Sequence, residues 1–351
     1  MPAPDLLLRL LTAAGPSGHE TAPAAVWRAA AEDFAVVSGD VMGSSVARVD
    51  GTAGGPSLAV VGHIDEIGLI VTHVDDKGFL FFAGVGGWDS QILVGQRVGV
   101  VGPDGVVPGL IGKKPIHLLR DEERKKVAEL RDLHIDIGAA SAEEAREVVG
   151  VGDVAVLAGE PVELRGGRLA SRALDNRLGA YIALEAARRI ADGGGAPGDV
   201  LAVASVQEEI TMAGAHTSAF ALEPAAAVVV DVTHASDAPG VDPKEAGDHG
   251  LGSGAAIKRG STLHPLLSSM LLDVAREEQI AHSVEVSAAR TGTDADAVHL
   301  QRAGIPTAGV SIPLRYMHSP VETVQLEDID ACVQLIAGLA QRLATGTSFA
   351  R

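Results

Sequence analysis

The sequence predicts an α/β protein with a mostly parallel central sheet, helices on both faces of that sheet and a small β-rich insertion. Short Val/Ile/Leu/Ala runs without polar alternation are typical of strands covered on both faces. Such runs occupy residues 58–62, 200–206, 225–230 and 305–312. Stretches with helical periodicity lie between or after them, which favours parallel strand pairing.

Five segments carry apolar residues at helical spacing, and each follows one of the strands or a turn. Alternation of strand and helix is typical of a sheet flanked by helices on both sides. The predicted helices are 177–191, 214–222, 265–279, 296–303 and 328–344.

The middle of the chain has a different pattern, and we expect it to form an inserted module of residues 70–164. A predicted strand at 96–101 is followed by a Gly-Pro-Asp-Gly turn, which is typical of a hairpin. The segment 120–131 carries charges of both signs, which indicates a solvated loop or helix. Residues 1–69 and 165–351 then form the larger domain around this module.

Composition excludes several classes of protein. The 351 residues include 28 Lys+Arg and 46 Asp+Glu, so the net charge of −18 disfavours a nucleic-acid partner. The single cysteine, Cys332, allows neither a disulfide framework nor a cysteine-based zinc site. The N-terminal apolar run lacks a basic lead and no stretch reaches the ~18 apolar residues of a membrane span, so we expect no membrane partner and a cytoplasmic location.

Potential metal ligands follow the predicted strands at their carboxyl ends. In an open α/β sheet this edge is where ligands bind, so residues far apart in sequence can converge there. Each residue alone could also be a helix cap, a turn former or a solvated surface group. The joint pattern is harder to attribute to capping. The residues are His63, Asp65, Glu208, Glu209, Asp231 and His318, with Asp175 just before a predicted helix.

Two histidines and three carboxylates are what a pair of divalent ions needs. Two such ions can share a bridging carboxylate and a bridging water. Side chains of adjacent residues on an extended segment point in different directions, so one of Glu208 and Glu209 could reach a metal while the other faces the water. Asp65 is placed to accept the second imidazole N–H of His63 and so to fix that ring.

The motifs that carry these residues resemble those of the tetrahedral aminopeptidases, a family of dinuclear metallopeptidases. That family includes glutamyl, leucyl and deblocking aminopeptidases and some members described as endoglucanases. Similar motifs also occur at 15–18, 111–115, 135–139 and 291–295, so the resemblance covers nearly the whole chain. The principal motifs are VGHIDEIG at 61–68, ALDNR at 173–177, QEE at 207–209, VDVT at 230–233 and RYMHSP at 315–320.

Position by position, the resemblance implies His63 and Asp231 on one metal ion, Glu209 and His318 on the other, and Asp175 bridging both. Glu208 is then the general base, and Asp65 orients His63. The resemblance implies a zinc-exopeptidase-like fold. It also implies an enzyme that removes N-terminal residues from short peptides. We expect two divalent ions per subunit, Zn²⁺ with Co²⁺ as the alternative, since imidazole and carboxylate ligands suit both.

The resemblance also implies that the insertion serves dimerisation and access, and that dimers assemble into a tetrahedral dodecamer. Three other functions compete with the aminopeptidase. A di-metal deacylase or carboxypeptidase could use the same ligands on a similar fold. A glycosidase needs two carboxylates ~5 to 9.5 Å apart and usually aromatic platforms, yet aromatic residues make up only 3% of this chain. A non-catalytic scaffold would be expected to lack a ligand or the base.

Overall fold

The fold is organised around an eight-stranded mixed sheet, as shown by a computed structural model that describes residues 2–350. The described residues also form a closed six-stranded barrel and a three-stranded sheet. The strands are β1 Val36–Gly39, β2 Ser45–Val49, β3 Leu58–His63, β4 Gly68–Val74, β5 Leu80–Val85, β6 Arg97–Gly102, β7 Gly105–Lys113, β8 Leu133–Asp136, β9 Val154–Leu157, β10 Val162–Leu164, β11 Arg168–Ser171, β12 Val200–Ser205, β13 Ala226–His234, β14 Ala255–Gly260, β15 His282–Ser287, β16 Thr307–Leu314 and β17 Glu322–Gln325.

Helices of very different length connect these strands within the described part of the chain. They are α1 Asp5–Thr12, α2 Thr21–Ala31, α3 Ser90–Leu93, α4 Ala142–Arg146, α5 Leu174–Asp192, α6 Glu208–Thr211, α7 Ala213–Leu222, α8 Pro243–Ala246, α9 Pro265–Glu277, α10 Ala295–Val298 and α11 Leu326–Arg342. Single 3₁₀ turns occupy Ile116–Leu118, Glu123–Lys125 and Leu130–Asp132.

The central sheet has the strand order β1-β2-β12-β3-β13-β16-β14-β15. Its middle strands β12, β3, β13 and β16 pair in parallel, whereas β2 and β14 join their neighbours β12 and β16 antiparallel. Strands β3 and β12 are buried along their whole length, which explains why their sequences lack polar alternation.

Both faces of the central sheet are covered. One face packs against α1, α2, α5, α9 and α11, and the other packs against α7 and α10. The predicted fold class, a mostly parallel sheet with helices on both sides and a β-rich insertion, is therefore confirmed.

The barrel closes in the order β4-β5-β8-β7-β6-β9 and has a separate apolar core. The predicted hairpin is present as β6 and β7. Strand β10 pairs with β11 in the three-stranded sheet instead. The domain boundaries at 69/70 and 164/165 and the assembly role of the insertion stay predictions.

The predicted helix 296–303 is wrong in its length, since α10 ends at Val298. Gln301 Nε2 donates to Ala297 O at 3.1 Å, the carbonyl that Gln301 N would use in a longer helix, and Gln301 N donates to Val298 O instead. Arg302 then adopts a left-handed conformation with φ 55°, which turns the chain towards β16.

No helix within residues 2–350 combines the length and apolar character needed to span a membrane. The cytoplasmic location stays a prediction.

Candidate active site

The predicted ligands meet at the carboxyl edge of the central strands. His63 is the last residue of β3, and Asp231 lies in the neighbouring parallel strand β13. The sequence predicts that β13 ends just before Asp231, but the strand continues to His234 because it pairs with β16 residue by residue up to Leu314. His63 and Asp231 are both buried.

Glu208 and Glu209 begin the short helix α6, which follows β12. The prediction of an extended segment here is wrong. Gln207 adopts a left-handed conformation, with φ 59° and ψ 32°, and turns the chain directly into α6. The two carboxylates nevertheless face different imidazoles: Glu208 Oε2 lies 3.7 Å from His63 Nε2, and Glu209 Oε2 lies 3.4 Å from His318 Nε2.

Asp175 lies between the two imidazoles. Its Oδ1 is 3.3 Å from His63 Nε2, and its Oδ2 is 3.5 Å from His318 Nε2. The dihedral angles of Asp175 and Asn176 are non-helical, so the segment before the regular part of α5 directs the Asp175 side chain into the site. Asn176 fixes this segment, because its Nδ2 donates to Val230 O and its Oδ1 accepts from Gly179 N, both at 2.8 Å.

Asp65 lies behind His63, as predicted for a residue that orients the imidazole. Its Oδ1 is 3.4 Å from His63 Nδ1, which leaves His63 Nε2 directed at the other carboxylates. Asp65 is fully buried, and it also accepts a hydrogen bond from Ser17 Oγ at 2.6 Å. Its catalytic contribution stays a prediction.

Two compact groups of ligand atoms result. One oxygen or nitrogen from each of His63, Glu208 and Asp231 lies within 4.8 Å of the others, and the same holds for His63, Asp175 and Glu209. The structure therefore brings together all six residues predicted to act directly, including His318 through Asp175 and Glu209.

Buried carboxylates outnumber the imidazoles, and the electrostatics reflect this excess. Burial raises the pKa of Glu208 to about 10, and the nearby Asp231 and Asp294 carboxylates add to the shift. Burial also raises the pKa of Asp231 to about 7. Hydrogen bonds to Asp175 and Glu209 raise the pKa of His318 to about 11. The site thus holds more carboxyl groups than it can keep ionised without a cation, which is expected where a cation belongs.

The residues fit divalent metal ions. Glu209 Oε1 is buried and has no hydrogen-bond partner within residues 2–350, although a buried carboxylate oxygen normally has one. Imidazole nitrogens and carboxylate oxygens form the donor set that zinc and similar ions take. A cation would provide both the missing partner and the missing positive charge.

The site opens into a cavity of about 610 Å³. The residues that line it include His63, Asp175, Glu208, Glu209, Asp231 and His318. The wall also includes an ion pair between the buried Lys258 and the partly buried Glu285, whose Oε1 lies 3.3 Å from Lys258 Nζ. A cavity of this size accommodates a short peptide segment.

The sequence did not reveal two groups that hold His318 in place. Glu322 is buried; its Oε1 accepts from His318 N at 2.8 Å, and its Oε2 accepts from Asp175 N at 3.1 Å. Gly87 O, from the segment between β5 and α3, accepts from His318 Nδ1 at 2.8 Å. In the sequence, the only signal for Glu322 is a weak one, namely an acid four residues after a candidate ligand. The sequence gives no signal for the backbone carbonyl of Gly87.

An α/β sheet with imidazoles and carboxylates clustered at its carboxyl edge is the arrangement expected of a metal-dependent hydrolase. Comparisons with known proteins define the class further. Residues 43–335 match the family described as M42 glutamyl aminopeptidase, so the chain belongs to this family of aminopeptidases.

Relatives and solved structures agree with this assignment. The chain is 34% identical to a lysyl aminopeptidase of Pyrococcus furiosus over 87% of this chain and 86% of the relative. A TET aminopeptidase from a marine sediment archaeon of the Thaumarchaeota shares 38% identity and superposes with a TM-score of 0.93, covering 97% of this chain and 96% of that one. The TET1 peptidase of Pyrococcus horikoshii shares 33% identity with a TM-score of 0.84, covering 96% and 98%.

The predicted family and the predicted activity class, a hydrolase that acts as an aminopeptidase, are confirmed by this membership. Because the family is one of metallopeptidases, membership implies divalent metal ions. The number of ions, their identity and the roles of individual residues stay predictions.

Proposed function

We propose that the protein is a dinuclear metal-dependent aminopeptidase that releases N-terminal residues from short peptides. One observation supports this proposal above all others: the two oxygens of Asp175 face the Nε2 atoms of two different imidazoles, at 3.3 and 3.5 Å. A carboxylate placed in this way suits a bridge between two ions. In this assignment His63 and Asp231 hold one ion, and Glu209 and His318 hold the other.

Glu208 is the proposed general base. When bound, two divalent ions would supply the Lewis acidity that polarises the scissile carbonyl and favours ionisation of water. Glu208 lines the cavity as a member of one ligand group, and bound cations would lower its pKa and keep it ionised. The carboxylate then accepts the proton of the attacking water and donates it to the leaving amine. The Asp65 carboxylate lies 3.4 Å from His63 Nδ1 and would keep His63 Nε2 directed at the metal site.

The free α-amino group of a peptide explains why such a site would select chain ends. This group can ligate or hydrogen-bond beside a metal ion at the carboxylates that line the cavity, whereas the amide nitrogen of an N-acylated substrate is a much weaker ligand. This argument favours an aminopeptidase over a deacylase or carboxypeptidase on a similar fold.

The test uses aminoacyl anilides with free and with blocked amino groups. Dialysis against a chelator should abolish hydrolysis of the free-amine substrates, and Zn²⁺ or Co²⁺ should restore it, with zinc as the proposed physiological ion. Chelator-resistant hydrolysis would contradict the metal centre. Faster hydrolysis of the N-blocked substrates would indicate a deacylase, and cleavage of carboxymethylcellulose would indicate a glycosidase.

We also propose a homo-oligomer, a tetrahedral dodecamer built from dimers through the inserted barrel. The related TET1 peptidase of Pyrococcus horikoshii can assemble into a tetrahedron or a large octahedral shell. Closed symmetric assemblies are common among soluble oligomers. Light scattering of the purified protein should give a mass near twelve times the 35.8 kDa of one chain, and a monomer would refute the assembly while leaving the chemistry intact.

A further inference from the structure

The turn that carries Glu208 and Glu209 is held through its backbone by two buried carboxylates. The N–H groups of Glu208 and Glu209 donate to the two oxygens of Asp65, at 3.1 and 3.2 Å. The N–H of the left-handed Gln207 donates to Glu20 Oε1, also at 3.1 Å. Three consecutive N–H groups are thus directed at acids, which fixes the start of α6.

Glu20 follows the GPSG motif at 15–18, a motif that the proposed mechanism does not use. The oxygen that accepts from Gln207 also accepts from Gly18 N at 2.6 Å, and Gly18 has a φ of 84° that favours glycine. Ser17 of the same loop donates its hydroxyl to Asp65. The loop therefore connects the segment after β3 to the turn after β12.

Glu20 contributes no atom to the cavity wall formed by the described residues, and it is only 4% exposed. It does not contact the reacting groups directly. Burying a carboxylate costs free energy unless hydrogen bonds compensate, and the bonds that compensate here reach the residue just before Glu208. The position of this acid is therefore explained by what it does to the turn.

We infer that Glu20 is a positioning residue, which sets the orientation of the Glu208 carboxylate by holding the N–H of Gln207. The inference rests on the proposed function, in which Glu208 is the base. Because one oxygen, Oε1, accepts both N–H groups, the essential property of Glu20 is the reach of an acceptor atom, and its charge is dispensable.

Three substitutions separate reach from charge. Glu20→Gln keeps the length and a carbonyl acceptor but removes the charge, and both hydrogen bonds should persist, so kcat should stay within about threefold of the wild type. Glu20→Asp keeps the charge but shortens the side chain, and Glu20→Met keeps the length without an acceptor. Both should lower kcat by ~10²-fold with little change in KM, the usual cost of misplacing a catalytic group by about 1 Å.

A second readout does not depend on turnover. Glu209, a proposed metal ligand, lies on the same turn, so the visible absorption spectrum of the Co²⁺-loaded Asp and Met variants should differ from that of the wild type, while the Gln variant matches it. Asp328→Asn serves as a control. Asp328 is a buried carboxylate that accepts from Gly252 N and Gly254 N and does not line the cavity. This variant should lower the melting temperature and leave kcat and the spectrum unchanged.

The outcomes are distinct. A Gln variant as slow as the Met variant would overturn the inference in favour of a charge effect. Unchanged kcat and spectra in the Asp and Met variants would show that Glu20 only stabilises the fold, which also overturns it. If wild-type protein fails to hydrolyse peptides but the spectra still separate Gln from Asp and Met, the proposed function fails while the positioning of the turn stands.

Discussion

At the scale of single residues, the site depends on which atom each imidazole presents. His63 Nδ1 faces Asp65, and His318 Nδ1 donates to Gly87 O, so both rings direct Nε2 at Asp175. A neighbour at one ring nitrogen sets the direction of the other. The orientations of the two rings are thus set by neighbours that lie outside the ligand set.

Replacing Glu208 by Gln should lower kcat by ~10²-fold or more, since a positioned acid–base group contributes on this scale. The amide has nearly the same shape but cannot take a proton from water. Metal analysis should still find two ions per chain, because the proposed ligands are intact. Loss of an ion in this variant would instead show that Glu208 is a ligand, which its proximity to His63 and Asp231 allows.

Glu322→Gln should lower the affinity of the site for the metal ion that His318 is proposed to bind. The carboxylate uses separate oxygens for His318 N and Asp175 N, whereas an amide offers one acceptor and turns its NH₂ group towards the other N–H. Replacing an outer partner of a metal ligand typically costs ~10 to 100-fold in metal affinity. Calorimetric titration of demetallated protein measures this loss.

The control for that experiment is Glu327→Gln, which removes the same charge from an exposed position nearby. Equal metal affinity in the Glu322 and Glu327 variants would contradict the role of Glu322.

The sequence predicts the direct ligands better than the residues that hold them. His63 and Asp231 could be found because a polar residue at the carboxyl end of an apolar strand is conspicuous. Glu20 and Glu322 act on backbone N–H groups more than 140 residues away in sequence. Such contacts depend on tertiary geometry, so residue type does not reveal them, and spacing gives only a weak signal for Glu322.

At the scale of elements, a close approach of β3 and α5 places His63 beside Asp175. Gly62 of β3 faces the backbone of Gly179, and a Cβ atom on Gly62 would lie 2.2 Å from the Gly179 carbonyl carbon. Gly179 in turn faces the backbone of β13, and a Cβ atom on Gly179 would lie 2.5 Å from Val230 O. Only glycines allow this spacing between the strand and the helix.

Gly62→Ala should therefore lower the free energy of unfolding by ~1–3 kcal/mol, the usual cost of overpacking a dense interior. The substitution should also separate His63 from Asp175. Thermal unfolding and metal content measure the two effects. Gly159→Ala is the matched control, because a Cβ there meets no atom within 4 Å. A Gly62 variant as stable and as metal-rich as the control would disprove this account.

Elements were predicted well where burial determines the pattern and poorly where local side chains intervene. Strands β3, β12, β13 and β16 coincide with the apolar runs within a few residues. The sequence does not predict the end of α10, where the Gln301 side chain bonds to Ala297 O. It also misses the end of β13, which depends on pairing with β16, and the turn at Gln207, which depends on a left-handed residue.

At the scale of the whole molecule, metal removal should lower thermal stability. The cluster draws on residues from 63 to 318 and concentrates buried negative charge, so bound cations would link distant parts of the chain. A ligand present at 100 times its dissociation constant stabilises the folded state by ~2.7 kcal/mol. Calorimetric scans should show a lower melting temperature after chelation, recovered on adding Zn²⁺, whereas an unchanged temperature would contradict a metal-linked fold.

The fluorescence of Trp88 should report metal binding, because Trp88 directly follows Gly87, which is hydrogen-bonded to His318. Trp88 is half-buried and donates its indole N–H to Gly68 O at 2.7 Å. The other tryptophan, Trp27, is fully buried and donates its indole N–H to Ala180 O. In a Trp27→Phe variant, the emission of Trp88 should respond when zinc is titrated into demetallated protein. Invariant fluorescence would mean that filling the centre is not transmitted to the barrel.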